Sequence, residues 1–300
     1  MIDISIVIVS YNVKKYIISC IESIYKHSKS SYFFEIVIVD NNSKDETAKK
    51  IEKDFPEIKL IKNDYNAGFS VAANQGVKLC RGKYIFILNP DTVFVEDTLR
   101  MLINEANANE SVGILGPKII DKNGLVQRSF WRKPSTINTM LGIFHLDFLN
   151  YKKNYKDRLF RSTSRVETIS GAAFFLQKEI YNKLNGFNED LFWMEDIDFC
   201  NRVNHIGLNV FYCPQTKIIH YSGKSAKKNY KVAISNQMLS KIKYFKIYHS
   251  WQSTFLIKVS VLLASIIKST AIFFILPFSK KWKSKMIAYL YTVRSVFKVE

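Results

Sequence analysis

The sequence predicts an α/β fold: a mostly parallel central sheet with helices on both faces, followed by a C-terminal helical segment that is basic and apolar. Three observations carry this reading. Short β-branched runs alternate with stretches of helical periodicity through residues 4–108, the rhythm of a parallel sheet covered on both sides. Hydrophobic residues fill 47% of 300 positions, enough to bury a sizeable core in one large domain or one domain with an appendage. Charge is divided unevenly: residues 221–300 hold 15 Lys and Arg against one acid, Glu300, while the first 220 hold 29 against 25. The expected organisation is a domain over residues 1–225 and a helical, basic, membrane-associating region over 226–300.

Taken in order, residues 4–9 form a β-branched run that stops at the turn signal Ser10-Tyr11-Asn12. Ile17, Cys20, Ile21 and Ile24 then recur at helical spacing over 14–27. A second strand, 35–39, stops at Asp40-Asn41-Asn42-Ser43, and Ser43 is placed to cap a polar helix over 44–54. A third strand at 58–61 leads through Asn66-Ala67-Gly68 into a helix ending near 80, and a fourth at 84–88 precedes a helix over about 95–108. Beyond 112–115 the rhythm loosens. Residues 121–166 are polar, aromatic and irregular, which suggests a substrate-facing excursion rather than core. A strand over 166–176, a helix over 196–206 and two short strands near 209–213 and 217–221 complete the domain.

In the tail, residues 255–276 are mostly apolar and long enough to span a bilayer, but Lys258 and Lys268 interrupt them. At 100° per residue, Lys258, Ser265, Lys268 and Ser269 share an arc of about 100°. A helix lying in the interface keeps that arc wet, so an interfacial helix is favoured over a transmembrane one, with a helix buried against the domain as a third reading. The bases at Lys280, Lys281, Lys283 and Lys285 and a second aromatic-rich helix suit anionic headgroups. Bases interleaved with apolar stretches, and no reading motif, argue against nucleic acid as partner. Cys20, Cys80, Cys200 and Cys213 show no paired spacing and read as buried thiols of a reducing compartment. The N-terminal run is short and carries Asp3, so it reads as a strand rather than a secretion signal, and the chain as cytoplasmic-facing.

Several carboxylates sit where chemistry is expected. Asp40, at a central strand tip, can accept from a base N–H or a ribose hydroxyl; the same run also makes capping turns. Asp91, in Asn89-Pro90-Asp91-Thr92, offers a hard oxygen for Mg²⁺ or Mn²⁺ on a diphosphate, against a simple Asn-Pro turn. Glu195-Asp196-Ile197-Asp198 opens a helix, where acids also favour the dipole. Phe192 and Trp193 just before it suit a sugar ring, and Gly171-Ala172-Ala173 supplies a small-residue floor. Arg202 lies four beyond Asp198 and can pair with it, so Asp196 is preferred over Asp198 as base. His220 is either a structural histidine or a Mn²⁺ ligand, and Gly223 and Lys224 after it suit a diphosphate-contacting loop.

The set Ser5–Asn12, Val37–Ser43, Asn66-Ala67-Gly68-Phe69, Asn89–Thr92, Gly171–Ala173, Glu195–Asp198 and His220, in this order, resembles family 2 glycosyltransferases of the GT-A fold, in their rhamnosyltransferase-like branch. The resemblance covers about residues 3–225. It implies inverting, hexosyltransferase-type transfer, dependent on Mg²⁺ or Mn²⁺, from a nucleotide-diphosphate sugar, with rhamnose as one donor sugar. Asp40 would contact base or ribose, with Ser10 and Asn12 lining that pocket. Asn42, Asn66, Gly68, Trp193 and Glu195 join the substrate-binding set. Asp91 matches the last acid of the family's metal motif, Asp196 its base, and His220 a histidine that joins the metal in some members. Asn89 stands where the metal motif has its first Asp, removing one anionic ligand. With the basic tail, the resemblance points to a saccharide or lipid-linked acceptor in cell-surface polysaccharide synthesis, at the cytoplasmic face of the cell membrane. A nucleotidyltransferase would need a Gly-rich, basic loop after the first strand; a non-catalytic membrane-bound scaffold of the same fold is the other alternative.

Overall fold

The computed structural model describes residues 2–28, 32–146, 149, 161–221, 230–275 and 280–299. The chain divides into two compact units, Met1–Lys133 with Tyr155–Glu189 and Glu195–Lys224, and Pro134–Asn154 with Asp190–Met194 and Ser225–Glu300.

The first unit opens with β1 (Ile4–Ser10), α1 (Lys14–His27), β2 (Phe34–Asp40), α2 (Thr47–Asp54), β3 (Lys59–Lys62), α3 (Phe69–Lys78) and β4 (Tyr84–Leu88). β3, β2, β1 and β4 lie side by side and are all parallel. Because side chains alternate along a strand, each run divides its residues between two faces. Ile4, Ile6, Ile8, Ile36 and Ile38 meet Ile17, Cys20, Ile21 and Ile24 of α1 and Ile51 of α2. Val7, Val9, Val37 and Val39 meet Ala72, Ala73 and Val77 of α3. Both faces are apolar, hence the continuous rather than alternating hydrophobic pattern.

The unit continues through β5 (Thr92–Phe94), α4 (Thr98–Ala108), β6 (Val112–Ile120), β7 (Phe130–Trp131), α5 (Thr136–Ile143), β8 (Ser164–Val166), β9 (Thr168–Ile169), β10 (Ala173–Gln177), α6 (Lys178–Lys183), α7 (Glu195–His205) and β11 (Asn209–His220), of which only α5 falls in the second unit. β10 runs antiparallel between β4 and β6, and the sheet then continues through β11 to β5. α4 closes the face of α1, while α7 joins α3 on the other.

Four expectations need correction. Ser43 does not cap α2, which starts at Thr47 behind a left-handed Glu46 with no side-chain cap; Ser43 is engaged by the end of β2 instead. The strand expected over 166–176 is broken into β9 and β10, because residues 170–172 turn to meet α7. The two strands expected at 209–221 are one, β11, whose register against β6 shifts between Cys213 and Lys217; Pro214 has no N–H for the ladder, and a bulge absorbs it. The excursion over 121–166 contributes to the core: Phe130 is fully buried against Tyr212, ring centroids 4.7 Å apart.

The second unit holds α5 and three long helices, α8 (Tyr230–Tyr248), α9 (Trp251–Ile275) and α10 (Lys280–Val296), with α9 packed on α5, α8 and α10. α9 is long and apolar enough to cross a membrane, with a mean hydropathy of 1.8 over its best window. The polar arc expected to face water does not. Ser260, Ser265 and Ser269 are buried, Lys268 Nζ donates to Ile143 O at 2.7 Å and Lys258 Nζ to Val299 O at 3.4 Å. Neighbouring backbone carbonyls take the place of water for these lysines, so the apolar side of α9 is the one left outside. Leu276, at the end of the expected apolar run, lies outside the described residues.

Candidate active site

The chemistry-bearing side chains of the first unit collect where β1, β2 and β4 end, β10 begins and β11 ends, the end of an open α/β sheet at which ligands bind.

At the tip of β2, Asp40 is buried and its carboxylate is held by three donors. Ser10 Oγ and Ser43 Oγ donate to Oδ1 at 2.8 and 2.6 Å, and Ser43 N donates to Oδ2 at 2.8 Å. A carboxylate has about four acceptor positions, so Asp40 retains capacity for one more donor. The loop after β1 is tied to the same corner: Asn12 N donates to Ser43 Oγ at 2.9 Å, and Asn12 Oδ1 accepts from Lys44 N at 2.7 Å. Asn12 and Asn42 both adopt left-handed backbone, φ 55° and 62°. Such conformations cost about 1 kcal/mol or more for a non-glycine residue and cluster at functional sites. Asn42 donates to Asp64 O, while Asn66 Oδ1 accepts from Gly68 N at 3.0 Å and Gly68 O accepts from Asn41 Nδ2 at 3.1 Å. Gly68, at φ 88°, opens α3 in a conformation that favours glycine.

At the end of β4, Asp91 and His220 meet, with Oδ1 and Nε2 3.2 Å apart and both side chains largely buried. Tyr221 N donates to Asp91 O at 2.9 Å, and Gln127 Nε2 donates to His220 O at 2.8 Å, which fixes the end of β11. Asn89 Nδ2 lies 3.5 Å from His220 Nε2. One hard oxygen and one imidazole fit a Mn²⁺ or Mg²⁺ ion, because donors about 2.1 Å from one octahedral centre stand roughly 3 Å apart. Among the described residues no cluster of three His, Cys, Asp or Glu side chains occurs. A metal here would therefore take most of its remaining ligands from diphosphate oxygens and water, as Mg²⁺ commonly does.

Asp196 stands in the first turn of α7. Gly171 N donates to its Oδ2 at 2.8 Å and Ile197 N to its Oδ1 at 2.8 Å. Burial raises its pKa above the ordinary carboxylate value, and these two backbone donors work against that rise. The pKa of Glu195 is raised well above the usual carboxylate value, by burial and then by the Asp196 charge, and its Oε2 is sealed from solvent without a partner among the described residues. Asp198 is occupied: Arg202 donates to its Oδ2 from Nε at 2.9 Å and from Nη2 at 2.7 Å. The break between β9 and β10 links the two halves of the site, because Asn89 N donates to Ala172 O at 3.0 Å, one residue from the N–H that holds Asp196.

Most of the residues singled out in the sequence thus gather in this unit, Asp40 with Ser10 and Asn12, Asp91 with His220, and Asp196 with Gly171. Trp193 belongs to the second unit, where its N donates to Ser240 Oγ at 3.3 Å and its indole Nε1 is buried without a partner among the described residues. Gly223 and Lys224 lie outside the described residues. Sequence reasoning missed Ser43 as the Asp40 clamp, Gln127 as the support of His220 and the Gly171 N–H as the Asp196 donor. Only Ser43 carried a signal, its place in an Asp-Asn-Asn-Ser turn.

The glycosyl transferase family 2 model matches residues 5–184, and a second model, the N-terminal domain of galactosyltransferase, matches residues 156–224. An N-acetylglucosaminyl-diphospho-decaprenol L-rhamnosyltransferase of Mycobacterium tuberculosis is 24% identical over 210 residues, covering 65% of this chain and 68% of that protein. A UDP-Glc:alpha-D-GlcNAc-diphosphoundecaprenol beta-1,3-glucosyltransferase of Escherichia coli is 29% identical over 140 residues, 46% of this chain and 54% of the other. Among solved structures, a mannosyltransferase of Pyrobaculum calidifontis in complex with GDP-Man and Mn²⁺ superposes with a TM-score of 0.56 at 15% identity, covering 97% of this chain and 85% of that one. With the family model spanning more than half of its length, the chain belongs to glycosyltransferase family 2 and carries that family's GT-A fold.

Proposed function

We propose that the protein is an inverting, metal-dependent hexosyltransferase that moves a sugar from a nucleotide-diphosphate donor to a hydroxyl of a lipid-linked saccharide, in cell-surface polysaccharide synthesis at the cytoplasmic face of the membrane. The observation that carries this is the Asp196 carboxylate, gripped by two backbone N–H groups and joined through Ala172 and Asn89 to the Asp91–His220 pair. A base and an anion-handling group converge on one end of the sheet, as a single displacement needs. The names of the relatives support a polyprenyl-diphosphate-linked acceptor, and one of them supports rhamnose.

Asp40 uses its spare acceptor position for a ribose hydroxyl or base N–H, with Ser10, Asn12, Asn42, Asn66 and Gly68 shaping that pocket. Ionised Asp196 takes the acceptor hydroxyl's proton as its oxygen bonds to the anomeric carbon. The bond from that carbon to the diphosphate oxygen breaks, and the diphosphate leaves with the electron pair. Asp91 and His220 would hold Mg²⁺ or Mn²⁺, which supplies positive charge against the leaving diphosphate.

The test is donor hydrolysis by the purified protein across a panel of nucleotide sugars with Mn²⁺, Mg²⁺ or EDTA, beside Asp91→Ala and Asp196→Asn. Slow hydrolysis of one donor, lost with EDTA and in Asp91→Ala, is the expected result and names the sugar. No turnover of any donor, together with no metal-dependent nucleotide binding by calorimetry, would overturn the reading.

A further inference from the structure

The second unit buries apolar side chains such as Phe245, Ile257 and Val261, and it leaves a long apolar stripe on its outer face as well. Along α9, Ser260, Ser265 and Ser269 are buried and the two lysine ammonium groups reach backbone carbonyls, while Phe255, Leu256, Leu263, Ile266, Ile267, Phe273 and Phe274 are exposed, Phe274 to 75%. At 100° per residue these seven side chains occupy one arc of about 120°, and at 1.5 Å rise the stripe is about 28 Å long. A contiguous outward apolar stripe of that size marks an interaction surface. α10 presents a different outer face, with Ile287, Leu290, Tyr291 and Phe297 exposed among the exposed cations Lys283, Arg294 and Lys298. From residue 225 to 299 the sequence carries no acid. Several of its cations also lie over aromatic rings, Lys231 over Tyr291 at 4.5 Å and Lys285 over Trp282 at 4.6 Å.

We propose that this unit seats the protein in the plane of an anionic bilayer, with the α9 stripe in the acyl boundary and the cations of α10 among the lipid phosphates. Two features select this occupant. A protein partner for the stripe would have no reason to require a neighbouring surface without acids, whereas anionic headgroups do. A span is disfavoured by the packing, because one side of α9 is covered by α5, α8 and α10, and the exposed lysines and arginine of α8 and α10 belong in water or headgroups. The proposal deepens the lipid-linked acceptor reading by naming the membrane face, and it stands on geometry that does not depend on the transfer chemistry.

The experiment is flotation of the full chain with phosphatidylcholine vesicles, with and without phosphatidylglycerol, alongside sedimentation equilibrium and donor hydrolysis without lipid. The variants are Ile267→Ser with Phe274→Ser, and Lys283→Gln with Arg294→Gln. Flotation is expected only with phosphatidylglycerol, falling about fivefold for each charge removed and at least tenfold in the stripe variant, with lipid-free hydrolysis unchanged. Binding indifferent to phosphatidylglycerol and resistant to alkaline extraction would mean a span and overturn the proposal. So would a wild-type dimer that ignores vesicles and dissociates in the stripe variant, which would make a second copy the occupant. Hydrolysis without flotation sinks the membrane proposal alone; flotation with neither hydrolysis nor metal-dependent nucleotide binding sinks only the transferase reading.

Discussion

The two units of this chain differ in what they leave on their outer faces. In the first, Ile6, Ile8, Val37 and Phe86 are fully buried and the functional carboxylates gather where strands end. In the second, Ser265 is fully buried while Phe273 and Phe274 are exposed. Both units bury an apolar interior, Phe245, Ile257 and Val261 in the second, so the contrast lies in the outward stripe of α9. Apolar content therefore says how much a segment avoids water, and only the placement of its few polar groups says whether protein or lipid replaces it.

The sharpest way to break the comparison lies in the first unit's chemistry. Asp196→Asn keeps the shape, but its amide has one oxygen to accept from Gly171 N or Ile197 N where the carboxylate has two, and it cannot take a proton; we expect kcat to fall by about 10²–10⁴ with donor binding retained. A normal rate in single-turnover assays would transfer the base role elsewhere. His220→Ala should weaken Mn²⁺-dependent nucleotide binding by roughly 10- to 100-fold, measured by titration calorimetry, as for the loss of one supporting group at a metal site.

Paired substitutions test this contrast in burial directly. Ile8→Ser, at a fully buried position, should cost about 3 kcal/mol or more in urea unfolding, since it opens a void and buries a hydroxyl. Ile267→Ser should stay within about 0.5 kcal/mol in the same experiment, as exposed substitutions do. Equal costs would mean that the α9 stripe is covered in solution, and the contrast between the units would fail.

Two pH effects are smaller. Because burial raises the Asp196 pKa and only the ionised form is a base, the acid limb of kcat/KM should lie above the ordinary carboxylate midpoint of about 4. A limb at or below that midpoint would contradict the geometry. Glu35 moves the other way. Burial opposes its ionisation, but donors from Ser5, the Arg81 backbone, Lys59 and the Arg81 side chain outweigh it and lower its pKa to about 2. Its contribution to stability is complete above the unfolded-state value near 4.5 and is lost as pH falls toward 2. Glu35→Gln should remove that acid-dependent loss and cost about 1–2 kcal/mol at neutral pH, seen by denaturation at both pH values.

Much of the first unit was legible because its signals are local. β4 falls on residues 84–88 and α1 on 14–27 as their periodicity requires, and Asp40 and Asp91 stand at strand ends as their turn residues require. Legibility stopped where an element takes its shape from a distant partner. The break before β10 exists because Gly171 turns its N–H to Asp196, 25 residues away. The bulge in β11 looked like a gap between strands, since a sequence shows Pro214 but not the neighbour that accommodates it. On α9 the arc of Lys258, Ser265, Lys268 and Ser269 was real, yet its direction depended on the carbonyls of Ile143 and Val299. No window of sequence around the helix contains either.

The antiparallel insertion of β10 between β4 and β6 also sets an order of assembly during synthesis. β1 to β4 can pair as soon as residue 88 is available, through contacts of short sequence separation. The facing edges of β4 and β6 stay open until Ala173–Gln177 arrives. Through that interval the facing edges of β4 and β6 are unpaired, and an open strand edge is the feature most prone to wrong pairing with other chains. Insertion of β10 seals both edges and brings Ala172 to Asn89 in the same step. A chain cut short of residue 173 is thus left with an open sheet and half a site.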